Sequence, residues 1–131
     1  MDFLKPETWP RAPGFSWGVS GKGRTVFVAG QVGRDPDSGS VADGFGAQTA
    51  QAFANIRKVL ESGHALPTDV AHMTWYVTDL DAYKAAGREI GAAYKGVFGK
   101  HFPSMTMVHV VGLIDAAALV EIECFAIVED E

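Results

Sequence analysis

The sequence predicts an α+β fold in which a mixed β-sheet carries two helices on one face, with the element order β-β-α-β-α-β-β. Three observations lead to this prediction. Several runs of β-branched and aromatic residues alternate with period two, and two longer segments repeat apolar residues at every third or fourth position. The strands are also apolar on both faces, whereas two helices can cover only one. The 131 residues are enough for one domain, residues 1–131, with a real core.

Charge and composition exclude several classes of protein. The net charge is −5 and the sequence pI is near 5.3, which disfavours a general basic surface for nucleic acid. A single cysteine excludes an intramolecular disulfide and a multi-cysteine zinc site. Charged residues interrupt the first 13 positions, and no run of about 18 apolar residues is long enough for a bilayer. We therefore expect a cytoplasmic protein that binds neither nucleic acid nor membrane.

The first half of the chain predicts an arm, a hairpin and a helix. Residues 1–13 hold three prolines and no period, which is typical of an irregular arm. Strands are expected at 14–20 and 25–32, joined as a hairpin by the turn-forming segment 21–23. After a turn-rich loop, helical spacing over 46–61 predicts the first helix.

The second half predicts a strand, a helix and two more strands. Period-two alternation indicates a strand at 70–77, and an apolar stripe predicts a second helix from about 80 to 99. The last strands are expected at 104–111 and 119–128, with a connection of small residues between them.

The last strand places two carboxylates in an apolar sequence. Alternation puts Glu121 and Glu123 on one face and Val120, Ile122 and Cys124 on the other. Carboxylates are costly to bury without partners, so their face is either solvated or lines a site. Because no helix of this chain is left to cover the second face of the sheet, we predict that other copies cover it in a homo-oligomer.

Five segments resemble the RidA/YjgF family, also called the L-PSP endoribonucleases. They are VFVAGQV at 26–32, QxxQAxxNI at 48–56, DV at 69–70 leading to YVTDL at 76–80, FP at 102–103 and LVEIE at 119–123. The resemblance covers residues 14–128 and implies a chorismate-mutase-like fold. It also implies a homotrimer with a central barrel of sheets and three clefts between subunits. The implied activity is cofactor-independent hydrolysis of enamines and imines, such as 2-aminoacrylate.

The resemblance also implies a set of positions that bind the small-molecule substrate. These are Phe15, Gly30, Gln31, Gly87, Met105 and Met107. Met105 stands where the family has an arginine that grips the substrate carboxylate, and a thioether has no donor to replace a bidentate guanidinium. Met107 stands in place of a frequent cysteine, Gly87 in place of an expected asparagine, and Phe15 in place of an aromatic hydroxyl.

Two residues are candidates for the chemistry itself. Glu121 matches the glutamate that orients the attacking water in the family, and a carboxylate in a cleft can accept a proton from water. The alternative for Glu121 is a solvated strand glutamate. His109, on the same face as the two methionines, is a candidate general acid–base or anion donor, or else a strand histidine bonded to a neighbour. If the last two strands pair directly, His109 lies near Glu121.

These observations leave three functions to compare. The first is a cofactor-independent hydrolase or deaminase of a small enamine or imine at intersubunit clefts, with substrate preference altered by Met105. The second is a non-catalytic trimer whose clefts bind a small, fairly apolar metabolite. An endoribonuclease is disfavoured because the acidic chain has no basic patch studded with aromatics. The histidines lack ligand spacing, so we expect no metal site.

Overall fold

The computed structural model of the protein describes residues 1–130. The strands are β1 (Asp2–Leu4), β2 (Gly18–Ser20), β3 (Arg24–Val32), β4 (Val70–Val77), β5 (Ser104–His109) and β6 (Val120–Val128). The helices are α1 (Phe45–Ser62), α2 (Leu80–Ala85) and α3 (Gly87–Phe98), with a single 3-10 turn at Pro67–Asp69. The fold is therefore α+β, as the sequence predicts. In the described part of the chain, no helix is long and apolar enough to cross a membrane.

The main sheet has four strands in the order β3-β6-β4-β5. β4 and β5 are parallel, and the crossover between them contains α2 and α3, as parallel strands require. β6 lies antiparallel to both β3 and β4. The last two strands are therefore not neighbours in the sheet, because β4 separates them.

The predicted hairpin is wrong. β2 pairs with β1, a strand inside the arm that was expected to be irregular, and β3 pairs with β6 instead. β3 is nine residues long, so it finds more ladder partners in the nine-residue β6 than in the three-residue β2. Gly23, at φ 147°, makes this approach sterically feasible, because a Cβ there would overlap the carbonyl of Val128.

The core lies between the helices and one face of the main sheet. Buried strand residues alternate along β4 and β6, so that one face is apolar and covered. Phe53 of α1 is fully buried at the centre, and its ring meets Trp75, Tyr94 and Phe98 edge-on at centroid distances of 5.6, 5.8 and 5.2 Å. This aromatic cluster fixes α1 and α3 on β4.

The predicted second helix is divided into two. α2 begins after Asp79, whose carboxylate accepts a hydrogen bond from the Ala82 amide at 2.9 Å. α2 ends at Ala85, and α3 starts two residues later at Gly87. Ala86, the residue between the two helices, is buried.

The opposite face of the main sheet is not covered by this chain. It carries Glu121, Glu123, Tyr76 and two aromatic rings, of which Phe27 is 71% exposed and Phe125 is 37% exposed. The two rings contact each other at 5.2 Å between centroids. The sequence prediction that the helices cover only one face of the sheet is thus confirmed, whereas the uncovered face is mixed, with polar residues beside its two aromatic rings.

Candidate functional site

A cleft of about 880 Å³ opens between α3, the ends of β4 and β5, and the end of the N-terminal arm. Its walls come from three directions, and most of them are apolar. The lining residues with aromatic or long apolar side chains are Phe15, Trp75, Tyr83, Ile90, Tyr94, Phe102, Met105 and Met107. A concave, largely apolar site of this size is typical of small-molecule binding.

Four of the residues assigned from the resemblance come together in this cleft. Met105 and Met107 form part of its floor on β5, Gly87 lies at the start of α3, and Phe15 comes from the segment before β2. A Cβ added to Gly87 would meet no atom within 4 Å, so this position is open space. The structure therefore brings these four residues to one place, and their role in binding stays a prediction.

The cleft also contains aromatic residues that the sequence did not single out. Trp75 is only 4% exposed, and its indole Nε1 has no hydrogen-bond acceptor among the described residues. Tyr94 donates a hydrogen bond to the His101 carbonyl at 2.5 Å, and burial raises the pKa of its hydroxyl. In sequence, both residues look like core. The register of β4 against β5, which sets Trp75 beside Met107, is the signal that places Trp75 at the site.

The charged residues of the cleft are all basic. Lys84, Lys95 and Lys100 lie around it, and no carboxylate belongs to the lining formed by the described residues. Within residues 1–130, none of these three lysines forms an ion pair. The cleft therefore offers positive charge at its edge to an anionic group, although the chain carries a net charge of −5.

Glu121 and Gly30 lie on the other face of the sheet from this cleft. Glu121 pairs with Tyr76 and Val32 in the ladders, on the uncovered face. A Cβ added to Gly30 would lie 2.5 Å from Glu121 Oε2, so only glycine allows the carboxylate to rest on the backbone of β3. β3 has a register shift at this point, between Val28 and Gln31. The Glu121 carboxylate therefore lies directly against the irregular backbone of β3 at Gly30.

Gln31 belongs to the same irregular stretch of β3. Its side-chain amide donates a hydrogen bond to the Ala29 carbonyl at 3.1 Å, and the residue pairs with Ile122 in the ladder. Gln31 does not line the cleft of its own chain, and its role in binding stays a prediction.

The suggested pair of His109 and Glu121 is wrong within one chain. β4 separates their strands, and the row that contains Glu121 passes through Tyr76 to Val108 rather than to His109. Since side chains alternate, His109 points to the opposite face. His109 is exposed, and its Nε2 lies 3.2 Å from the Thr78 carbonyl. This contact matches the alternative of a strand histidine bonded to a neighbour.

Two other residues of β6, Glu123 and Cys124, lie in environments that indicate a structural role. Glu123 accepts a hydrogen bond from the Tyr76 hydroxyl at 2.6 Å, and this bond raises the pKa of Tyr76. Cys124 is buried on the helix-covered face, where desolvation raises the pKa of its thiol to about 12. A thiol with such a pKa is a core residue and not a nucleophile at neutral pH. Among residues 1–130, no three His, Cys, Asp or Glu side chains are grouped to hold a metal ion.

Comparison with known proteins identifies the family. Residues 9–128 match the model of the family described as Endoribonuclease L-PSP. The 2-iminobutanoate/2-iminopropanoate deaminase of Salmonella typhimurium is 30% identical over 108 residues, which is 80% of each chain. The chain therefore belongs to the Endoribonuclease L-PSP family, to which the RidA/YjgF proteins also belong.

Solved structures give the same result for the fold. The crystal structure of RidA from an Antarctic Psychrobacter superposes with a TM-score of 0.71 at 26% identity, over 98% of this chain and 100% of that one. E. coli TdcF with bound serine gives a TM-score of 0.71 at 25% identity, with the same coverage of 98% and 100%. These similarities confirm that this chain has the α+β fold of the RidA proteins.

Proposed function

We infer that this chain is a cofactor-independent hydrolase of small imines or enamines, which works as a homotrimer with its sites between subunits. Family membership supports the reaction class, since a 30% identical relative is a 2-iminobutanoate/2-iminopropanoate deaminase. The cleft supports a small-molecule substrate. The bound serine of the TdcF structure agrees with a ligand of amino-acid size in a related fold.

The position of Glu121 carries this proposal. The carboxylate rests over Gly30 on the uncovered face, whereas Met105 and Gly87 line the cleft on the other side of the sheet. Within one chain these two half-sites cannot act on the same molecule. In the proposed trimer, the uncovered face packs against neighbouring copies, which would bury the exposed Phe27 and Phe125, and Glu121 of one subunit lies at the cleft of the next.

In this arrangement the reaction is a hydration followed by loss of ammonia. Glu121 accepts a proton from water, and the water oxygen bonds to the imine carbon. Backbone groups beside Gly30 stabilise the developing charge. That proton passes to the nitrogen, which gives a carbinolamine. Glu121 then moves the carbinolamine hydroxyl proton to the nitrogen, the C–N bond breaks as the C=O bond forms, and ammonia leaves a ketone or keto acid behind. An enamine enters the same sequence after it has tautomerised to the imine.

Met105 is expected to change the substrate preference. In place of the arginine that the family resemblance implies, the floor of the cleft offers a thioether, which cannot bind a carboxylate. The positive charges of this cleft are the rim lysines instead. We therefore expect weak or absent activity on 2-aminoacrylate, whose carboxylate lies next to the reacting carbon.

The same substitution favours a second candidate function, a trimer that binds a small apolar metabolite without catalysis. An apolar floor holds a ligand but does not orient its carboxylate for attack. Endoribonuclease activity, named in the family description, has less support, because the net charge of −5 opposes binding to a polyanion.

The test is ammonia release from a panel of imines generated in the assay, with Glu121→Gln compared against Glu123→Gln. We expect Glu121→Gln to lower turnover by about 10²-fold or more, as for the loss of a general base. Glu123→Gln changes a carboxylate on the same strand and face and should stay within a few-fold. Ligand binding without any ammonia release would favour the second candidate. Equal losses in both variants, or a monomer by light scattering at working concentration, would contradict the proposed site.

A further inference from the structure

The QxxQAxxNI segment of α1 contains two buried amide side chains. Gln48 is 3% exposed and Asn55 is 5% exposed, although glutamine and asparagine usually lie at the surface. A buried amide is costly unless its polar atoms have hydrogen-bond partners. The partners of these two side chains lie in the segments that lead out of β3 and into β6, and they indicate what the amides do.

Gln48 holds the chain just before Glu121. Its Oε1 accepts a hydrogen bond from the Leu119 amide at 2.7 Å, and its Nε2 donates to the Ala117 carbonyl at 3.0 Å. The same Nε2 group donates to the Ala42 carbonyl at 3.2 Å. Because Leu119 is two residues before Glu121, these bonds fix the chain where it enters β6.

Asn55 holds the end of β3, opposite Glu121. Its Nδ2 donates to the Arg34 carbonyl at 2.9 Å and to the Val32 carbonyl at 3.3 Å. Its Oδ1 accepts a hydrogen bond from the Gln51 side chain at 2.9 Å, which orients the amide. Val32 is the ladder partner of Glu121. The two amides of α1 therefore hold the two strands on which the carboxylate depends.

Two further contacts join the segments after β3 and before β6. A Cβ added to Gly33 would lie 2.5 Å from the Cα of Gln48, so the end of β3 passes directly against the residue that holds β6. At the surface, Arg34 binds Asp115 with both carboxylate oxygens, from Nε to Oδ2 at 2.8 Å and from Nη2 to Oδ1 at 3.1 Å. The two segments are thus bound to α1 inside the core and to each other outside it.

We propose that Gln48 and Asn55 are positioning residues, which set β6 and β3 from the α1 side of the sheet so that Glu121 lies against Gly30 on the other side. The Arg34–Asp115 ion pair is the outer tie of the same arrangement. A catalytic group must be held within about 0.5 Å of its productive geometry, which two hydrogen-bonded strand ends can provide. This inference rests on the proposed function, because it names the residues through which its catalytic carboxylate is placed.

The kinetic test compares Gln48→Met with Thr49→Val. Gln48→Met keeps the length of the side chain but removes its hydrogen bonds to the two segments. On an imine that the wild type hydrolyses, it should lower kcat by about tenfold to 10²-fold and change KM by less than about twofold, since a misplaced catalytic group loses rate rather than binding. Asn55→Leu should act in the same direction.

Thr49→Val is the matched control for the loss of a buried polar group. Thr49 is also buried, but its hydroxyl donates to the Phe45 carbonyl within α1 and contacts neither segment. This variant should keep kcat within about twofold of the wild type. A loss of kcat equal to that of Gln48→Met would mean that any damage to α1 has this effect, and it would overturn the inference.

Two readouts separate positioning from a purely structural role. In the Glu121→Gln background, Gln48→Met should lower turnover no further, because the group that it positions is already gone. In ¹⁵N-labelled protein, Glu121→Gln should move the Gly30 amide resonance, and this displacement should shrink when Gln48→Met is also present. An equal loss of turnover in both backgrounds, or a displacement that is absent or unchanged by Gln48→Met, would overturn the inference.

Asp115→Asn provides the same test at the surface if the two amide variants do not fold. It leaves both buried amides in place and removes the charge that binds the Arg34 guanidinium. Because the pair is partly exposed, kcat should fall by only about two- to fivefold, with KM unchanged. An unchanged kcat in this variant would overturn the inference when neither amide variant can be measured.

The inference and the proposed function fail in different ways. Rapid turnover that depends on Glu121 but not on Gln48, Asn55 or Asp115 would keep the hydrolase and overturn the positioning role. No ammonia release from any imine would remove the hydrolase, and the Gly30 resonance would then decide by itself whether Gln48 places the carboxylate.

Discussion

The two faces of the main sheet are formed by the same strands, but they differ in the residues they present and in whether this chain covers them. On the helix-covered face, β4 and β6 present fully buried apolar residues such as Met73, Val77 and Ile122. On the uncovered face, the alternate residues of these strands are half-buried carboxylates, hydroxyls and aromatic rings, linked in part by hydrogen bonds. The difference teaches that the covered face holds the chain together, whereas the uncovered face is the one that the proposed trimer would cover.

The largest expected effect is a loss of stability, which should be much greater for a substitution on the covered face than for one on the uncovered face. Phe53→Ala removes the central ring of the covered core and should lower the free energy of unfolding by about 3–5 kcal/mol at every protein concentration. Phe53→Leu keeps most of the volume and should show a smaller loss. Denaturant unfolding followed by circular dichroism measures both.

Phe27→Ala is the matched change on the uncovered face. Because Phe27 is 71% exposed in the single chain, its truncation should change the stability of an isolated subunit by no more than about 0.5 kcal/mol. In the proposed trimer, the loss instead appears as dissociation on dilution, measured by light scattering. A cost equal to that of Phe53→Ala and independent of concentration would mean that Phe27 belongs to the core of one subunit.

A smaller effect, on turnover, is expected from substitution of Met105 on the floor of the cleft. Met105→Arg restores a bidentate donor and should raise turnover of the alanine-derived imine by about tenfold or more, through a lower KM. Met105→Lys is the control, since a point charge without the planar fork should give a smaller gain. If the wild-type protein already hydrolyses this imine rapidly and Met105→Arg changes nothing, the methionine does not set the preference.

The sequence predicts the elements of this fold better than their arrangement. The strand at 70–77 is confirmed to the residue, and the first helix is confirmed within one residue at each end, because each has a strong local period. The pairing of β1 with β2 has no such signal in three-residue strands. The position of β4 between β5 and β6 depends on contacts distant in sequence, which no local pattern encodes.

The candidate site shows the same limit. Family resemblance located Phe15, Gly87, Met105 and Met107, and the structure brings them together in one cleft. It did not reveal Trp75, which looks like core until its register with Met107 is known. The alternation of β6 correctly put Glu121 and Glu123 on one face. That this face lies away from the cleft follows only from the three-dimensional packing of the helices.

The smallest expected effect concerns the pH dependence of the uncovered face. The Tyr76 hydroxyl donates to Glu123, which raises the pKa of Tyr76 in the folded chain above its ordinary value of about 10. The contribution of this bond to stability is therefore fully present below the unfolded pKa and is lost as the pH rises through the folded pKa. Tyr76→Phe removes the group, so the stability difference between wild type and variant should be constant from pH 7 to about 9 and should shrink above about 10. Chemical unfolding at each pH measures it, and the subtraction cancels the titration of the lysines and other tyrosines. A difference that grows above pH 10 would mean that Glu123 does not hold the proton on Tyr76.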